Sequence, residues 1–227
     1  MPFADLAERV QVLRERIAAA AARGGHAQAV RIVAVTKTHG PDAVDAAYAA
    51  GLHDVGENKV QEATRKMDAV SSPVRWHLIG HLQRNKGEAL NRFDLLHSLD
   101  SARLADAVHA VGLARERPVD ALVQVNVLGE TTKGGFGLTE LPAQAERLTG
   151  LHGVRVAGVM TMAPFEADEE TLRTVFAGAR RARELLVAAG HPATELSMGM
   201  SNDYEIAVEE GATLVRLGTV LFGARPT

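Results

Sequence analysis

Cysteine is absent, so disulfides, thiolate catalysis and cysteine metal sites are all excluded. Basic residues are not in excess either. The 25 Lys and Arg face 28 Asp and Glu for a formal net charge of -3, which removes the electrostatic basis for binding nucleic acid or an acidic membrane. No apolar run reaches membrane-spanning length. The N-terminal stretch carries Asp5, Glu8, Arg9, Arg14 and Glu15 where a secretion signal needs an unbroken apolar segment, so the expected location is the cytoplasm. Gly-x-Gly-x-x-Gly, Walker, His-x-His and His-Glu-x-x-His patterns are missing too. His77, His81 and His97 are therefore expected to be hydrogen-bonded histidines and not metal ligands.

The 227 residues, 46% hydrophobic and 23% charged, suffice for one full-sized core. Leu6, Val10, Leu13 and Ile17 recur at helical spacing, and Gly24-Gly25 closes an opening helix. Runs rich in Val, Ile and Leu follow at 31–36, 53–56, 74–79, 95–99, 120–127, 154–162, 194–199 and 213–217. Helical stretches fall between them at 41–50, 57–69, 84–91, 101–115, 139–149, 168–189 and 203–210. Strict alternation implies parallel strands with right-handed crossovers, and a count near eight favours closure into a (β/α)8 barrel. Without linker, repeat or low-complexity segment, residues 1–227 are read as a single TIM-barrel domain. Gly134-Gly-Phe-Gly137 is its most flexible-looking loop, and Met160, Met162, Met198 and Met200 are expected to pack.

Active sites of such barrels lie at the C-terminal ends of the strands, with phosphate often held after strands seven and eight. Lys37 closes the run Arg31-Ile-Val-Ala-Val-Thr-Lys37, at a strand mouth. A lysine partly desolvated there loses preference for the ammonium form, and the neutral amine forms Schiff bases with aldehydes. Glu57-Asn58, the pair His77 and His81, and Asn126 fall at further strand ends. Ser201 reads as the N-cap of a helix starting near Asn202, and Gly218-Thr219 lets the main chain approach an anion. A phosphorylated aldehyde would satisfy both Lys37 and these loops. Arg216, set between Val215 and Leu217 in an apolar strand, needs a partner inside the barrel. That partner is either a pyridine ring nitrogen, which the guanidinium would keep unprotonated, or a barrel-facing acid such as Glu57.

Taken together, these residues resemble the family of pyridoxal phosphate homeostasis proteins, single-barrel relatives of the alanine racemase N-terminal domain. The likeness covers almost the whole chain. It rests on Val35-Thr-Lys-Thr38, Gly56-Glu-Asn-Lys-Val-Gln-Glu62, Trp76-His-Leu-Ile-Gly-His-Leu-Gln-Arg-Asn-Lys86, His97-Ser-Leu-Asp100, Leu196-Ser-Met-Gly-Met-Ser-Asn-Asp203 and Val215-Arg-Leu-Gly218. The resemblance implies pyridoxal 5'-phosphate as cofactor, with Lys37 as the lysine that binds it covalently and Arg216 at the ring nitrogen. It also implies Ser201 and the Gly218-Thr219 main chain at the phosphate, with Asn58 beside the cofactor. Lys59 departs from the family, which more often has an aromatic residue there.

A racemase and a non-catalytic carrier would share all these residues. A racemase of this fold class needs a further β domain carrying a tyrosine base, whereas here the sequence ends at Thr227 and offers Tyr48 and Tyr204, both on expected barrel helices. The expectation is a non-catalytic reservoir in vitamin B6 and amino-acid balance. It would act as a monomer and hand its cofactor to apo-enzymes. A racemase, or an aldolase using Lys37 without cofactor, stands as the alternative.

Overall fold

The computed structural model describes residues 3–130 and 133–223. The chain runs α1 (Leu6–Gly24), β1 (Arg31–Val35), α2 (Pro41–Ala49), β2 (Asp54–Glu57), α3 (Val60–Ala69) and β3 (Arg75–Leu78). A 3-10 helix (Arg84–Arg92) precedes β4 (Leu95–Leu99), α4 (Ala102–Ala114), β5 (Val119–Gln124) and α5 (Leu141–Thr149). Then follow β6 (Val154–Met160), α6 (Glu169–Ala188), β7 (Glu195–Ser197), α7 (Tyr204–Glu209), β8 (Leu214–Leu217) and α8 (Thr219–Phe222). The strands close in sequence order into a barrel, β8 pairing in parallel with β1. This is the (β/α)8 barrel that the alternation of runs predicts.

The strands are nearly continuous apolar runs because both faces are covered. Their alternation sorts side chains into two layers. Ile32, Ala34, Val55, Trp76, Leu78, Val215 and Leu217 join the core between sheet and helices, whereas Val33, Leu95, Leu122, Met160 and Leu214 cluster inside the barrel. Burying a leucine in either layer contributes about 2 kcal/mol. Local signals place the helices. Pro41 opens α2, the Ser101 side chain accepts from the Leu104 N–H to cap α4, and Asp168 caps α6 through the Thr171 N–H. On α1 the buried residues are Leu6, Val10, Leu13, Ile17 and Ala20, a stripe that packs against α7 and α8.

Several boundaries differ from expectation. Glu57 belongs to β2, and α3 starts only at Val60. The stretch expected as a helix at 84–91 is a 3-10 helix with non-helical angles at Lys86. β5 stops at Gln124, because the Gln124 carbonyl accepts the Phe136 N–H at 2.9 Å and the Phe136 carbonyl accepts the Asn126 N–H at 3.0 Å. The Gly134–Gly137 stretch is thus tied to the strand end, with Phe136 buried. Met160 and Met198 pack as expected, but Met162 and Met200 stand exposed at the ends of β6 and β7.

Candidate cofactor site at the open end of the barrel

The N-terminal end of the barrel carries a ring of ion pairs. Arg31 joins Asp54 at 3.2 Å and Glu195 at 2.5 Å, Arg75 joins Asp54 at 2.6 Å, and Arg155 pairs with Asp120. The opposite end carries the residues singled out from the sequence.

Lys37 lies two residues past β1, half-buried in a turn whose next residue, Thr38, has φ 71°. The turn is held from two sides. From α3, Lys66 Nζ donates to the Thr36 carbonyl at 2.7 Å, and Glu62 accepts the Thr38 N–H at 2.6 Å, so one helix grips the peptide on either side of Lys37. From α8, Phe222 packs against the His39 ring with centroids 5.4 Å apart, and Phe3 meets both rings edge-on. The sequence reading missed these supports. Their spacing gave one local sign, since Glu62 and Lys66 stand at i, i+4 and pair at 2.9 Å.

Glu57 does not face the barrel interior and is not the partner of Arg216. It points outward to α3, where Oε1 accepts from Lys66 Nζ at 2.6 Å and from the Thr36 hydroxyl. The alternation of β2 requires this, because Asp54 already faces inward. Burial pushes the Glu57 carboxyl up, against the hydrogen bonds from Lys66 and Thr36.

Arg216 does project into the barrel, only 5% exposed. Nη1 donates to Ser197 Oγ at 2.6 Å and Nη2 to the Thr161 carbonyl at 2.9 Å, two of five guanidinium protons. No carboxylate lies within ion-pair reach of it among the described residues. Burial lowers the group to about 10, partly offset by the charge of Asp203, so it remains a cation at neutral pH.

Ser201 is not a helix cap. α7 starts at Tyr204, and Asp203 folds back to accept the Met200 N–H at 2.5 Å. Ser201 Oγ instead accepts the Val220 N–H at 3.4 Å, linking the loop after β7 to the loop after β8. Gly199, at φ +90°, makes the bend between them: a Cβ there would stand 2.6 Å from the Ala207 side chain, and its carbonyl accepts the Arg216 N–H at 2.9 Å. Gly218 precedes α8 and brings no side-chain cap of its own, and the Val220 N–H of that first turn goes to Ser201 Oγ across the same loop junction. Ala34 pairs with Leu217 across β1 and β8, and a Cβ on Gly218 would touch the Val35 carbonyl at 3.4 Å. Lys37, Ser201, Gly218 and Thr219 are therefore neighbours at three adjacent strand ends. Asn58 follows β2 on the far side of β1, and its carbonyl would be only 2.2 Å from a Cβ on Gly80.

The other candidates serve elsewhere. His81 is exposed on Asp100 at 2.9 Å, while Asn126 organises its own loop through Glu130 and the Lys133 carbonyl. His77 lies inside β3 and His97 inside β4, both buried and hydrogen-bonded.

Residues 9–226 match the alanine racemase N-terminal domain family. The chain is 40% identical over 226 residues to the pyridoxal phosphate homeostasis protein of Aquifex aeolicus, covering 96% of this chain and 97% of that one. It belongs to that family. The Pseudomonas aeruginosa pyridoxal phosphate homeostasis protein is likewise 40% identical, over 98% of this chain and 97% of the relative. Among solved structures, PipY of Synechococcus elongatus with PLP bound superposes at TM-score 0.85 and 37% identity, covering 96% of this chain and 100% of that one. Alanine racemase from Corynebacterium glutamicum shares the fold, with TM-score 0.75 and 16% identity over 99% of this chain and 62% of that one. No helix among the described residues is long and apolar enough to cross a membrane.

Proposed function

We propose that the barrel binds pyridoxal 5'-phosphate at its open end and acts as a cofactor reservoir. The observation that carries this is the grouping of Lys37, Arg216, Ser201 and the Gly218-Thr219 main chain at adjacent strand ends. The residues fit the group chemically. A buried cation without a carboxylate suits a ring nitrogen that accepts a hydrogen bond, and the start of α8 beside the Ser201 hydroxyl suits a phosphate. The family's name and the PLP-bound relative support the same cofactor.

Pyridoxal phosphate supplies an aldehyde that condenses reversibly with amines. Lys37 is the amine that the α3 clamp presents to it. Arg216 keeps its own protons, so it would offer the ring nitrogen an N–H donor and leave that nitrogen without a proton. Ser201 and the N–H groups of Gly218 and Thr219 would hold the phosphate, and Asn58 would stand beside the cofactor.

The carrier reading is supported by what the tyrosines do. Tyr48 packs edge-on against His53, at the N-terminal end of the barrel, and the Tyr204 hydroxyl turns to Glu205 at 3.4 Å. Neither is presented over Lys37 as a second base for proton transfer. The reservoir would work in the cytoplasm, the chain acting as one monomeric unit and passing cofactor to apo-enzymes. Mixing the loaded protein with a cofactor-free aminotransferase tests this, with recovery of that enzyme's activity as the expected result. Rapid α-proton exchange of alanine in deuterated water, abolished by Lys37→Ala, would establish an enzyme instead.

A further inference from the structure

Arg216 is the end of a buried hydrogen-bond chain that crosses the barrel. Its Nη1 meets Ser197 Oγ at 2.6 Å, and Ser197 Oγ meets His97 Nδ1 at 2.9 Å. His97 Nε2 lies 2.8 Å from His77 Nδ1, and His77 Nε2 lies 3.0 Å from Asp54 Oδ1. Ser197 and His97 are 0% exposed, His77 2%, Asp54 4% and Arg216 5%, so water does not compete for these links. The chain begins among the ion pairs of the N-terminal end and finishes at the candidate site.

With both histidine rings neutral, the two ends dictate the direction of every proton. Asp54, bonded also to Arg31 and Arg75, is ionised and only accepts. A neutral His77 must then carry its proton on Nε2, which leaves Nδ1 as an acceptor. His97 therefore donates from Nε2, and its own Nδ1 accepts the Ser197 hydroxyl proton. That turns the Ser197 lone pairs toward Arg216, which only donates. Both ends agree, and no link is left without a proton or with two. Burial above all pulls His97 well below the usual histidine range and favours the neutral ring that this order requires.

We propose that Asp54, His77, His97 and Ser197 form one polarity-locked chain that positions the Arg216 guanidinium at the cofactor's ring nitrogen. These are positioning residues: none of them faces the open end, and they act through Arg216. The proposal rests on the cofactor reading above.

The test has two arms on the full-length protein. Long-range proton–nitrogen spectra of 15N-histidine-labelled, cofactor-free protein at neutral pH should show two neutral rings protonated at Nε2, assigned by their loss in His77→Gln and His97→Gln. A ring protonated at Nδ1, or cationic, at either position overturns the chain. In the second arm Ser197→Ala should weaken pyridoxal phosphate binding about tenfold and shift the visible band of the loaded protein, with Ser197→Thr restoring both. Binding and band unchanged in Ser197→Ala would show a purely structural network and overturn the positioning role. His97→Phe, unable to accept the serine proton, is the second variant should Ser197→Ala not fold. Wild-type protein that takes up no pyridoxal phosphate overturns the cofactor reading, and with it the link to the ring, whichever tautomers the spectra show.

Discussion

Lys66 Nζ donates to the carbonyl of Thr36, the residue before Lys37, at 2.7 Å while also meeting Glu57 at 2.6 Å. One buried ammonium thus ties the turn that carries the candidate amine to the second strand. It is buried among acceptors, and removing it leaves the Glu57 carboxylate without its cation.

Replacing Lys66 by methionine should destabilise the protein by about 3–5 kcal/mol, the usual cost of breaking a buried pair from one side. Urea unfolding measures this. The same variant should trap less cofactor on Lys37, since the turn loses its anchor; an unchanged urea midpoint would show that Lys66 does not clamp the turn.

Borohydride reduction of the pyridoxal phosphate-loaded protein, followed by peptide mapping, should place the label on Lys37. Lys37→Ala should keep the far-ultraviolet spectrum of the fold and lose the visible band. Label on Lys59 or Lys133, the latter engaged with Glu130 at 2.6 Å, would contradict the assignment.

Unphosphorylated pyridoxal should bind on the order of 10²-fold more weakly than its phosphate, because several charge-assisted hydrogen bonds from main-chain N–H groups would be lost. Ser201→Ala should cost about tenfold of the phosphate-dependent part. Isothermal titration separates the two. Equal affinity for both compounds would rule out the loop junction after β7 and β8 as the phosphate site.

Asp54 sets an acid limit on stability. Burial alone would push its carboxyl up, but hydrogen bonds from His77 and Arg75 outweigh that and hold it at about 2, below its usual 3.8. A depressed carboxyl contributes stability that is fully present above the usual value and disappears as pH falls through the folded one. The contribution is about 2 kcal/mol at neutral pH, lost between about pH 4 and pH 2. Asp54→Asn should therefore be less stable than wild type at neutral pH and approach it toward pH 2, as read from urea midpoints across that range.

Strand-helix alternation, Pro41 and the periodic face of α1 determined the barrel from the sequence alone, because each acts over a few neighbouring residues. The positions of Lys37, Ser201, Arg216 and Gly218 at strand ends were legible for the same reason: they follow from where each strand stops. What those residues touch was not. A strand's alternation says which side chains share a face, but a boundary moved by one residue reverses the faces. Glu57 stands on that uncertainty as one of two partners the sequence offers Arg216, and its bonds to Lys66 and the Thr36 hydroxyl show that it points out. Ser201 looked like a cap because its neighbours suit one, yet its partner is the Val220 N–H on the next strand's loop. The chain from Asp54 to Arg216 joins five strands through pairs separated by as many as 100 positions. Local pattern carries no trace of such contacts; closure of the barrel, which brings β4 against β7 across its interior, decides them.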